Sequence, residues 1–78
     1  MELIIENLTE KSCKKVLMVF EDFLSGVYMD ITTDTITVVL TDNNNWCIST
    51  SAETTTIIKD MKKKVTLKNC DFTKIVIQ

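Results

Sequence analysis

Three thiols, eleven carboxylates and nine lysines are the side chains in this 78-residue chain with the chemistry of a nucleophile, an acid or a base. Histidine and arginine are both absent, so the usual general base, the commonest metal ligand and the forked phosphate clamp are missing. The lone glycine, Gly26, excludes a phosphate-cradling glycine loop. No two acids are spaced so as to force their carboxyl groups into one pocket, and the expectation is a protein that is not an enzyme and uses no cofactor. Cys13, Cys47 and Cys70 are odd in number and lack paired short spacing, which argues against a disulfide framework and a zinc knuckle. Free thiols packed as small hydrophobes are the simplest reading of all three.

The elements that must position these groups follow from period. Between Thr9 and Val27, Cys13, Val16, Leu17, Phe20, Phe23 and Leu24 recur at three- and four-residue steps, the spacing of a single helix face. Thr9 or Ser12 would cap its start, and Gly26 would close its last turn in the left-handed conformation. Glu2 to Asn7 reads as a short central strand. Val27, Met29 and Ile31 alternate with Tyr28 and Asp30, and Ile36, Val38 and Leu40 continue that alternation after a turn over Thr32 to Asp34, which predicts a hairpin. Asp42-Asn43-Asn44-Asn45 is a strong turn signal, and Trp46 to Ile48 a short strand.

Thr50-Ser51-Ala52-Glu53 has the form of a capping box, predicting a second helix from Ser51 to Lys64 that buries Ile57, Ile58 and Met61 and ends in Lys62, Lys63 and Lys64. The tail breaks the alternation of a straight strand, since Val65 and Leu67, then Cys70 and Phe72, then Ile75 and Ile77 share faces. Two short strands, or one bulged strand, are expected around Asn69 to Asp71. The expected architecture is one α+β domain over residues 1–78. It is ferredoxin-like, β-α-β-β-(β)-α-β(β), with two helices packed on one face of a mostly antiparallel sheet.

Composition is that of a globular chain, 45% hydrophobic and 26% charged. A domain this small buries only about 60% of its unfolded surface, which makes a homodimer one possible state. No secretory leader is read, and no stretch approaches the ~20 apolar residues of a membrane span, so the expectation is a cytoplasmic protein without a membrane partner.

Asn7-Leu8-Thr9-Glu10-Lys11-Ser12-Cys13, followed one helix later by Gly26-Val27, resembles the heavy-metal-associated domain, a ferredoxin-like metallochaperone module with a GMTCxxC motif. In that family two thiolates hold a soft ion such as Cu(I). The resemblance implies Cys13 as a metal ligand, with Glu10 standing where the first thiolate would be. From the residues themselves, the helix N-terminus, Lys14 and Lys15 would acidify Cys13. A degenerate metal-binding module using Cys13 is therefore the alternative function.

The leading reading comes from charge. Residues 16–58 carry six acids and no lysine, whereas residues 59–78 carry six lysines against two acids. Such a split gives the molecule an acidic and a basic end, and an acidic end steers association with a basic surface. Glu21, Asp22, Asp30, Asp34 and Asp42, with Trp46 as an aromatic anchor, are the expected contacts with a protein partner. Direct nucleic-acid binding is not expected, because the predicted strands at 2–7 and 35–41 lack aromatics for base stacking. Size and the lysine-rich, arginine-free composition suggest a small inhibitor of the kind carried by phages and mobile elements, acting as anti-CRISPR proteins do on a host nucleic-acid-processing complex.

Overall fold

Leu3, Ile5 and Leu8 cannot all point to one side of a regular strand, because the step from Ile5 to Leu8 has the wrong parity. The computed structural model, which describes residues 2–21, 24–41 and 46–78, resolves this with a bulge. Strand β1 (Glu2–Leu8) pairs Ile5 with Val38 but Leu8 with Ile36, and Asn7 takes a left-handed φ of 56°. All three apolar residues thereby reach the core. Thr9 then caps helix α1 (Glu10–Phe20), its hydroxyl accepting from the Ser12 amide at 3.3 Å. The helix buries Cys13, Val16 and Phe20, which lie on one stripe, and burial of a side chain such as Phe20 is worth about 1.5–3 kcal/mol.

After the helix the chain forms β2 (Leu24–Asp30) and β3 (Thr35–Thr41), an antiparallel hairpin. Both β1 and β2 run antiparallel to β3, which lies between them, so β1, α1 and β2 make a split β-α-β unit. A final strand, β7 (Lys74–Ile77), pairs with the other edge of β1, giving the order β2-β3-β1-β7. β1 is thus interior, as its apolar sequence predicts.

Three further strands, β4 (Trp46–Thr50), β5 (Thr54–Lys59) and β6 (Lys63–Lys68), form a separate antiparallel sheet in sequence order. Its inner face supplies Trp46, Ile57, Val65 and Leu67 to the core, where they meet Phe20, Leu3, Ile5, Val38 and Leu40. Trp46 and Phe20 pack edge to face, with ring centroids 5.4 Å apart. The Lys15 ammonium donates to the Thr66 carbonyl at 2.7 Å, tying α1 to β6.

This architecture overturns the expected ferredoxin-like fold with two helices on one sheet. Among the described residues there is one helix, with seven strands in two antiparallel sheets. The predicted helix from Ser51 to Lys64 is instead the end of the β4–β5 hairpin and all of β5, running into β6. Ser51 does use its hydroxyl on the backbone, accepting from the Thr54 amide at 3.2 Å and the Glu53 amide at 3.4 Å. However, Ser51 also donates its amide to the Thr54 carbonyl at 2.8 Å, which closes a turn between strands. The run Thr54-Thr55-Thr56-Ile57-Ile58 is entirely β-branched, and its two-residue alternation buries Thr55, Ile57 and Lys59 on one side.

Helix α1 likewise ends six residues before Gly26, which was expected to close its last turn. Gly26 lies in β2, and no glycine has a positive φ. It sits where the β2–β3 register shifts, with the Tyr28 ring over it: a Cβ at residue 26 would meet Tyr28 Oη at 3.3 Å. The tail breaks where its parity indicates, at a 3-10 turn over Asn69–Asp71 between β6 and β7. No helix among the described residues is long and apolar enough to cross a membrane.

Candidate functional site

The β2–β3 hairpin brings Asp30 and Asp34 together at its tip. Asp30 Oδ1 accepts from the Thr32 amide at 2.9 Å and the Thr33 amide at 3.2 Å, an Asx turn that fixes the reversal. Hydrogen bonds from the Thr33 side chain, then from the Thr33 and Thr32 amides, hold the Asp30 carboxyl below the usual carboxylate range. Asp34 takes a left-handed φ of 57°, which an aspartate tolerates, and returns the chain to β3. Between the two acids stands Ile31, 94% exposed.

The strand leading to this tip is an edge of its sheet, and its last residues before Asp30 are Val27, Tyr28 and Met29. Val27 and Met29 lie opposite the buried Val38 and Ile36, yet on this edge strand they are 43% and 55% exposed. Tyr28, on the outer face, is exposed as well. An apolar edge strand with unpaired backbone groups is a surface that readily takes up another chain.

The other predicted contacts do not join this patch. Glu21 is exposed but caps the end of α1, three residues before β2 begins, whereas Asp30 is the last residue of β2. Asp22 and Asp42 lie outside the described residues. Trp46 is only 7% exposed and packed on Phe20, so its ring serves the core. Its indole Nε1 is buried and has no hydrogen-bond partner among the described residues.

Cys13 sits on the inner face of α1, and burial, followed by the nearby Glu10 carboxylate, pushes its thiol pKa up. That is the reverse of the acidification the metal-binding reading needs. Glu10 itself faces Lys14 at 3.7 Å in an exposed pair. Among the described residues no three cysteines or acids gather around a point where an ion could sit. Cys47 and Cys70 are exposed.

Two surfaces were not singled out by sequence reasoning. One is a cleft of about 280 Å³ between β4 and β7, lined by Thr50, Thr55, Asn69, Phe72 and Lys74. Its polar wall is internally satisfied: Thr55 Oγ1 donates to Asn69 Oδ1 at 2.5 Å, and Asn69 Nδ2 donates to the Ser51 carbonyl at 2.9 Å. The other is an apolar recess of about 370 Å³ on the outer face of the second sheet, formed by Cys47, Ile58 and Met61 and edged by Lys62 and Lys64. Cys47, Ile58 and Lys64 are cross-strand neighbours in one row, and Met61 is 96% exposed at the β5–β6 turn. The lysine run was legible in the sequence. Its apolar companions were hidden because a helical reading puts Ile58 and Met61 inside.

Comparison of the chain with family models, with curated proteins and with solved structures returns no match.

Proposed function

We propose that this protein is a non-enzymatic binding module that occupies the surface of a protein partner, with the β2–β3 hairpin as the contact element. The observation that carries this reading is Ile31, held 94% exposed between two carboxylates at a hairpin tip that its own hydrogen bonds fix in shape. An aliphatic side chain in that position adds nothing to the core, whereas burying it at an interface would gain about 1.5–3 kcal/mol. Asp30 and Asp34 select a basic rim on the partner and raise the association rate. The outer edge of β2, which pairs with no strand among the described residues, supplies main-chain donors and acceptors for strand addition beside the tip.

The finer role, an inhibitor carried by a phage or mobile element that blocks a host nucleic-acid-processing complex in the cytoplasm, draws its support from size and composition. The test uses such a purified complex as the probe, with binding and inhibition measured for the native chain and for Asp30→Asn/Asp34→Asn/Asp42→Asn. Loss of roughly tenfold or more in affinity, shrinking as salt is raised, is expected for the triple variant. Full binding by that variant would refute the acidic-hairpin reading.

A further inference from the structure

We propose that the hairpin tip docks into the recess at Met61 on a second copy of the same chain, so that the protein self-associates through two different surfaces. This rests on the reading of the β2–β3 hairpin as the contact element and adds the identity of the surface that receives it.

The two surfaces are complementary in shape and in sign. One is a knob, a single aliphatic side chain, Ile31, between Asp30 and Asp34. The other is a recess of about 370 Å³ based on Ile58, with Cys47 and the exposed Met61 beside it and Lys62 and Lys64 at its edge. Each joins an apolar centre to two like charges. Asp60, which shares the turn with Lys62, is paired with the buried Lys59 at 3.0 Å. The excess charge beside the recess is therefore that of Lys62 and Lys64, and it opposes that of the tip. Both charge pairs are exposed in the free molecule, so neither surface is already neutralised by a buried partner.

Their placement keeps a molecule from satisfying itself. The acidic tip follows Met29, which pairs with Ile36, the residue opposite Leu8 at the start of α1. The basic turn follows Lys59, which pairs with Trp46, and Trp46 packs on Phe20 at the end of α1. Tip and recess therefore lie toward opposite ends of α1. Tip-to-tip association would set acid against acid, and recess-to-recess association lysine against lysine, each costing rather than gaining energy. Tip-to-recess contact alone matches charge, and a net charge of only −2 leaves little general repulsion between copies. Two different surfaces in contact generate a reciprocal pair, a ring or an open chain, according to the rotation between copies.

A contact made by one hairpin tip is small, so the association is weak, with a dissociation constant on the order of 0.1–1 mM. The test is sedimentation velocity of the full chain from about 10 μM to about 1 mM, at low salt and again in ~0.5 M salt. The weight-average mass is expected to rise with concentration at low salt and to return to the monomer value at high salt. Asp30→Lys/Asp34→Lys has two basic surfaces and Lys62→Glu/Lys64→Glu two acidic ones, so each alone should remain monomeric. Mixed in equal amounts, they should associate again, because each then offers what the other lacks. Circular dichroism checks that both variants fold, and Ile31→Ser, which leaves all charges in place, should weaken association about tenfold.

A native chain that stays monomeric throughout, or an association indifferent to both charge reversals, overturns the proposal. If the chain is monomeric yet binds an unrelated basic partner through Asp30 and Asp34, self-docking fails and the functional reading stands. If Asp30 and Asp34 matter to neither, both fail.

Discussion

Replacing Met61 with glycine should make the protein more stable. Asp60 and Met61 occupy the two central positions of the turn closed by the Lys62 amide on the Lys59 carbonyl at 3.0 Å, and both have left-handed backbone, with φ of 53° and 58°. This is the mirror-image turn that suits a twisted hairpin, and its preferred sequence is Asn-Gly or Asp-Gly. Asp60 tolerates the conformation, but an unbranched side chain with a Cβ, such as methionine, costs about 1–2 kcal/mol there. Glycine removes that cost and returns about 0.5–1 kcal/mol through the extra freedom of the unfolded chain. Little packing is forfeited, because Met61 is 96% exposed. The balance favours Met61→Gly by about 0.5–1 kcal/mol, equivalent to a rise of roughly 2–8 °C in Tm for a domain of this size. Urea unfolding followed by Trp46 fluorescence would show the midpoint moving up at unchanged slope. Met61→Ala keeps the Cβ and should leave the midpoint where it was. A fall in stability for the glycine variant, or an equal gain for alanine, would refute the strain argument. The same substitution removes an apolar side chain from beside the recess and so should weaken self-association while the fold becomes firmer.

Three further outcomes follow from other sites. Thr55→Val should cost about 1–3 kcal/mol, since Thr55 is 1% exposed and removal of its hydroxyl leaves Asn69 Oδ1 without that donor. A double-mutant cycle with Asn69→Ala, read by urea unfolding, should show coupling of at least ~0.5 kcal/mol, and strict additivity would mean the bond is energetically silent. Alkylation of the native protein followed by mass spectrometry should label Cys47 and Cys70 quickly and Cys13 slowly, because Cys13 is buried with its thiol pKa raised. Rapid labelling of Cys13 would contradict its placement. The Asp30 carboxyl titrates lower in the folded than in the unfolded chain, so the stability it contributes is present above its unfolded pKa and fades as pH falls through the lowered folded value. NMR titration should find that lowered value, and Thr33→Ala should bring it back toward the ordinary one.

Much of the first half of the fold was legible, because β3 and α1 each obey one period. Ile36, Val38 and Leu40 are buried at alternate positions as expected, and Cys13, Val16 and Phe20 form the predicted helical stripe. The end of that stripe was misjudged because Phe23 and Leu24 extend the same three- and four-residue steps, whereas the chain is already in β2 at Leu24. The larger error lay at Thr50 to Glu53. A serine hydroxyl bonded to an amide three residues on is common to helix starts and to hairpin turns, and the threonines that follow decide between them. Of the candidate contacts, Asp30 and Asp34 were readable from the acidic run. Ile31 was read as a strand residue, and only the Asx turn that ends β2 at Asp30 shows it standing outside the sheet.

Backbone hydrogen bonds of 2.8 Å and 2.9 Å join Glu2 and Gln78, so the two ends of the domain lie side by side. A short peptide tethering residue 78 to residue 2 would then close the backbone into a ring without moving a strand, and new termini could be cut elsewhere. Opening that ring at residues 31–34 would preserve every pairing that does not cross the cut while dismantling the acidic knob. Such a circular permutant would separate what the chain needs in order to fold from what it presents to a neighbour.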